Sequence, residues 1–313
     1  MWEVSEVDAV RIAADIARTF WYFAELDRHP VFRWAKAQGL HMPLLELAQH
    51  YGMVTPLLDL SESIEVALFF ATHRFRDGQF EPCSSGTGVL YIIDRTTMPP
   101  AFASRFTPIA IQPFPRPTQQ WGWTCELFMG ECFEAYPWLG GLVFEHSEAL
   151  ADRIRSMAEA GGPLFPPDAL ASIAATVRAS KVLPIESVEA AAKHLKSAFP
   201  VGRFGTVLHA LEAAGYSISD SVPVVMSDEL AIELEPVCQA AIAAWKAAAA
   251  NRMGQLCVRH GRDGRQLEYG ILTPPTSDGG EWTVVPAPQY YSAFEPLDQR
   301  THNAAAPECV ANN

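Results

Sequence analysis

Basic residues are scarce in this chain. Twenty-three Lys and Arg stand against 36 Asp and Glu, giving a net charge of −13. A negative field of that size repels phosphate backbones, so non-specific nucleic-acid binding is disfavoured. Long apolar runs are also missing, since a membrane helix needs roughly 20 such residues. The most apolar long stretch, AAIAAWKAAAANRM, is mostly alanine and carries Lys246. The acidic start MWEVSEVDAV lacks the basic stretch and apolar core of a secretory signal. A cytoplasmic chain without a membrane partner is therefore expected. None of the six cysteines (Cys83, Cys125, Cys132, Cys238, Cys257, Cys309) forms a Cys-x-x-Cys pair, and the histidines are scattered. No metal site is expected, and reduced buried thiols are. A phosphate-binding G-x-x-x-x-G-K-[ST] loop, an H-E-x-x-H zinc helix and a G-x-S-x-G nucleophile elbow are all absent.

What is present is apolar bulk. Hydrophobic residues make up 49% and aromatics 11% of 313 residues, enough for a sizeable core. Apolar spacing predicts a helix over 3–27 and another over 31–51, with Pro30 in its first turn and Gly39 and Pro43 splitting it. Leu57, Leu58 and Leu60 around Asp59 predict a short strand. Ser61 or Ser63 would cap the next helix, IEVALFFATHRF, which is greasy on nearly every side up to Ala71 and so should be buried. GVLYIID, TCELFM and GLVFEH read as strands. Prolines 99, 100, 108, 113, 115 and 117 imply a long extended loop with a strand at 109–111. Helices follow at EALADRIRSMAEA behind Ser147, PDALASIAATVRAS, IESVEAAAKHLKSAF, RFGTVLHALEAAGY and 228–252, the last broken at Pro236. Around Asp263-Gly264, QLCVRHG and LEYGILTP form a hairpin signal, and WTVVPAP adds a third strand. The fold class is α+β: a small mixed or antiparallel sheet with packed helices, then a helix-rich C-terminal region ending in a hairpin. The expected division is 1–198, 199–295 and a flexible 296–313 tail.

The stretch LELAQHYGMVTPLLDLSESIEVALFFA (45–71) threads Gln49, His50, Tyr51, Thr55, Asp59, Ser61 and Glu62 between apolar segments. Each unpaired buried polar group costs about 1–3 kcal/mol, so this density calls for hydrogen bonds or a function. Q-H-Y-G-x-x-T-x-L-L-D-x-S-x-S-x-x-V-A-L-F-F-A at 49–71 resembles the signature of the FRG-domain family. Arg116, Gln120 and Gly122 in RPTQQWGW, and LFPPDAL at 164–170, resemble two further family segments, so the resemblance spans about 31–180. Three departures stand out: no Phe/Tyr-Arg-Gly tripeptide occurs in the first 48 residues, Pro56 replaces an arginine, and Leu60 replaces a tryptophan.

The family's layout is loosely similar to that of ADP-ribosyltransferases. By that analogy Asp59 and Ser61 form the floor of a cleft with Gln120 opposite as the catalytic set. Gln49, His50, Tyr51, Thr55 and Trp123 would hold a nucleotide such as NAD. A role in bacterial phage defence or toxicity is permitted by the resemblance alone. The competing reading is a degenerate, non-catalytic module that senses a ligand or recruits a protein partner through its C-terminal half. Each residue also has a plain structural reading. Asp59 and Ser61 cap a helix, His50 is a buried histidine with satisfied bonds, and Gly52 ends a helix. On a short strand, Gln119 and Gln120, just before Trp121 and Trp123, would either stitch loops together or face a ligand.

Overall fold

The computed structural model describes residues 6–38, 42–76, 79–93, 98–99, 102, 105–109, 113–127, 131–198, 204–221 and 224–251, with strands at 256–260, 267–273 and 283–286. The chain opens with α1 (Glu6–Leu26) and α2 (Pro30–Ala37). Pro30 sits in the first turn of α2, where its missing N–H costs nothing. Helix α3 (Leu44–His50) ends at Tyr51, and Gly52 follows at φ +79°, the left-handed conformation that favours glycine.

Strand β1 (Leu57–Ser61) leads into α4 (Ile64–Thr72), capped by Ser63, whose hydroxyl accepts the Val66 N–H. Helix α4 is not buried all round. Val66 and Phe69 are sealed, but Ile64 is 57% and Phe70 42% exposed. One face packs against a helix while the other borders an open cleft.

The hairpin β2 (His73–Arg76) and β3 (Gln79–Pro82) precedes β4 (Thr87–Ile93) and β5 (Phe106–Pro108). The proline-rich region does not stay extended, because Pro115–Gln119 forms a short helix, α5, with Pro115 in its first turn. Gln120 therefore caps a helix rather than lying on a strand. Trp121 then takes φ +49°, and β6 (Gly122–Glu126) starts only after it. Strand β7 (Leu139–Glu145) pairs antiparallel with β4. The central sheet has the order β1-β6-β5 and is antiparallel throughout.

Helices α6 (Glu148–Ala158) and α7 (Ala169–Ala179) carry the caps Ser147 and Asp168. Strand β8 (Val182–Pro184), α8 (Ile185–Ala198), α9 (Phe204–Ala213) and β9 (Ser217–Ser219) follow, with β8 parallel to β9. Helix α10 (Asp228–Asn251) runs straight through Pro236 rather than breaking there. Its Ala231, Cys238 and Ile242 stay in the core that Trp21, Tyr22, Phe32, Tyr51 and Leu170 build. The Met226 N–H donates to Glu25 Oε2 at 2.7 Å, tying the approach to α10 back to α1.

Strands β10 (Leu256–His260), β11 (Leu267–Thr273) and β12 (Thr283–Pro286) form an antiparallel sheet, as the hairpin signal requires. The Asp263-Gly264 turn and the 296–313 tail lie outside the described residues. The architecture is α+β. Among the described residues no helix is long and apolar enough to cross a membrane. Cys83, Cys125 and Cys238 carry free thiols, but Cys132 is disulfide-bonded, contrary to the expectation of reduced cysteines throughout.

Candidate functional site

A cleft of about 1280 Å³ opens where the end of α3, β1, α4, β4 and the α5–β6 corner meet. Gln49, His50, Tyr51, Asp59, Ser61, Gln120 and Trp123 all line it. Thr55 stands behind the wall. Its hydroxyl donates to Gln49 Oε1 and accepts the Leu57 N–H, closing the turn between α3 and β1.

Strand pairing explains the convergence. Asp59 lies opposite Thr124, Leu60 opposite Trp123 and Ser61 opposite Gly122. The 49–61 segment and the RPTQQWGW segment thus meet at the Ser61–Gly122 edge of the β1–β6 ladder. Beyond that edge each polar group takes a distinct partner. Ser61 Oγ donates to the Gln120 carbonyl at 2.7 Å and accepts the Ser63 N–H at 3.0 Å. Gln120 is only 3% exposed, and its Nε2 donates to the Leu164 carbonyl at 3.0 Å. These two side chains stitch the cleft wall together.

Asp59 is different. Its carboxylate is 46% exposed and is held from behind by His50 Nδ1 at 3.2 Å and by Gln49 Nε2 at 3.3 Å. It does not cap α4, a task that falls to Ser63. His50 meets Asp59 through Nδ1, and Nε2 is its other ring nitrogen. That Nε2 is buried and has no hydrogen-bond partner among the described residues. It presses against Gly122, where an added Cβ would meet it at 2.5 Å. Gly122 is therefore a space requirement: no other residue leaves room for the ring that orients Asp59.

The Tyr51 hydroxyl donates to Asp168, whose other oxygen accepts the Leu170 N–H at 2.8 Å and starts α7. Burial raises the Asp168 carboxyl pKa, while Tyr51, the Leu170 amide and Arg116 oppose the rise. Burial also lifts the Tyr51 phenol well above its ordinary range.

Arg116 lies over the rings of Tyr51 and Phe165, at 5.4 and 5.0 Å. Such cation–π contacts favour a planar guanidinium. Burial holds its pKa below the usual arginine value. Arg178 reaches the same region from α7 and donates to the Gly52 carbonyl at 3.4 Å. A Cβ on Gly52 would sit 2.3 Å from its Nη1, so Gly52 serves both the left-handed turn and this approach. Phe70, Tyr91, Phe133 and Phe165 supply the aromatic surface of the cleft.

Tyr51, Gln120, Leu164, Phe165 and Asp168, drawn from all three motif segments, thus interlock around one hollow. None of the cleft cations Arg116, Arg155 and Arg178 was singled out from sequence as a site residue. Arg116 was in view, three residues before the noticed Gln119. Arg178 carries no local signal, because only the packing of α7 brings it to the Gly52 turn.

No curated protein and no solved structure matches the chain. The family model described as FRG domain matches residues 11–79, from within α1 through the Gln-His-Tyr-Gly turn, β1, α4 and β2. The chain therefore carries an FRG domain.

Proposed function

We propose that the cleft binds an NAD-like nucleotide and that Asp59 stands beside the bond between ribose and nicotinamide. One observation carries this reading: a half-exposed carboxylate, oriented by His50 and Gln49, opens into a hollow walled by aromatic rings and Arg116. Breaking the C1′–N bond sends its electron pair to the pyridinium nitrogen and releases neutral nicotinamide. Positive charge then grows at C1′, and a fixed carboxylate stabilises that oxocarbenium-like state. Water or an acceptor hydroxyl attacks C1′ and gives up its proton to Asp59 or solvent. Phe70, Tyr91 and Trp123 offer faces for the bases. Gln120 and Ser61 act in this reading as wall-builders, since their donors are already spent on Leu164 and on Gln120 itself.

Incubation with NAD labelled in the nicotinamide, alone and with cell extract, tests this. Release of labelled nicotinamide by the wild type, and its loss in Asp59→Asn with retained thermal stabilisation by NAD, is expected. No release and no thermal shift in the wild type would overturn it.

The spent donors of Gln120 and Ser61 favour one second reading, a module that senses its ligand without turning it over. It predicts stabilisation by NAD without release, and identical behaviour of Asp59→Asn. Expression in a bacterial host, scored for growth and phage resistance in wild type and Asp59→Asn, separates a defence or toxic role from both.

A further inference from the structure

We infer that Arg116 and Arg178 form the anion-binding subsite of the cleft and take a diphosphate. The inference rests on the nucleotide reading for the identity of the whole ligand, but the subsite has its own support.

Arg116 is the first part of that support. Its guanidinium lies over the rings of Tyr51 and Phe165, its Nε is buried, and among the described residues it makes no hydrogen bond or ion pair. The carboxylate beside it, Asp168, is already occupied by the Tyr51 hydroxyl and the Leu170 amide. A desolvated cation without a hydrogen-bonded anion is an unfavourable arrangement for a fold to keep. With Nε buried, the two terminal nitrogens are the donors left for a ligand, and that pair matches two phosphate oxygens.

Arg178 is the second. It lines the same cleft, and its like charge disfavours the ionised form of Arg116, though less than Tyr51 and Asp168 favour it. Its one hydrogen bond to a described residue is the 3.4 Å contact to Gly52. Two cations that repel each other across a hollow are relieved by an anion bridging them, and a diphosphate carries enough charge and oxygens to do so. The contrast with Arg155 is informative. That side chain also lines the cleft, yet it is bound by the Phe80 carbonyl at 2.9 Å and lies over Phe69.

Calorimetric titration with inorganic pyrophosphate tests the subsite without any glycosidic bond or any part for Asp59. The wild type is expected to bind, with affinity falling as salt rises. Arg178→Gln, an exposed position that folding tolerates, and Arg116→Gln should each weaken binding at least 10-fold. Arg116→Lys should recover only part of the loss, because an ammonium lacks the fork. Asp59→Asn should bind at least as tightly as wild type. Absence of pyrophosphate binding to the wild type, or equal affinity in Arg178→Gln, would overturn the subsite. Pyrophosphate binding with no response to NAD would leave the subsite standing and remove the NAD reading.

Discussion

Gly122 is where a single atom decides the geometry of the cleft. Replacing it by alanine puts a methyl within 2.5 Å of His50 Nε2 and 3.0 Å of Ile109 Cγ1. Overpacking of this kind costs about 1–3 kcal/mol. Gly122→Ala should lose that much in urea denaturation. It should also weaken NAD binding in calorimetry, because the displaced ring no longer holds Asp59. Unchanged stability together with unchanged affinity would mean that His50 does not position the carboxylate. The sequence showed the polar cluster around Asp59 but not which of its members were free. Ser61, Ser63 and Asp59 all read as caps, and only the hydrogen bonds show that Ser63 does the capping while Asp59 stays open. The role of Arg178 was invisible for a related reason: a contact 126 residues away in sequence leaves no local pattern.

At the scale of elements, α4 separates two jobs that its composition merges. Nine mostly apolar residues look like a buried helix, yet only the Val66–Phe69–Thr72 stripe is sealed. Phe69→Ala should therefore cost about 3–5 kcal/mol. Phe70→Ala should cost much less while loosening the ligand, and a thermal-shift series with and without NAD reads both quantities. Ser63→Ala should cost about 1 kcal/mol through loss of the N-cap. If Phe70→Ala proves as destabilising as Phe69→Ala, the outer face of α4 is core rather than cleft wall. Apart from α5, the helices from α1 to α9 were legible in advance, and so was the C-terminal hairpin. The α5–β6 corner was not. Its prolines argue for an extended loop, but Pro115 suits a first helical turn, and the pairing of β6 with β1 begins only at Gly122. Helix α10 shows the opposite override. Its packing against α2 outlasts the break expected at Pro236.

Across the whole molecule, one core joins α1, α2, α3, α7 and α10, and His29 is buried inside it. His29 caps α2 through Nδ1 and packs against Phe32 and Phe114. Burial lowers its pKa from 6.5 to about 4. A base depressed in the folded state contributes stability that is complete above pH 6.5 and is lost as the pH falls toward 4. The full loss is about 3 kcal/mol. Urea midpoints should drop over that window, and His29→Asn, which keeps a capping oxygen but cannot titrate, should flatten the profile. A wild type equally stable at pH 7 and pH 4 would contradict this.

The same core brings α7, with Asp168 and Arg178, against the Tyr51–Gly52 turn, and so sets the distance between the cations and Asp59. The central claim is that these groups serve one ligand. A crystal structure of the protein with NAD tests it most directly. The account predicts the ribose of the nicotinamide half within hydrogen-bonding reach of Asp59 and the diphosphate oxygens on Arg116 and Arg178. NAD bound elsewhere on the surface, or a cleft left empty at saturating NAD, would contradict it.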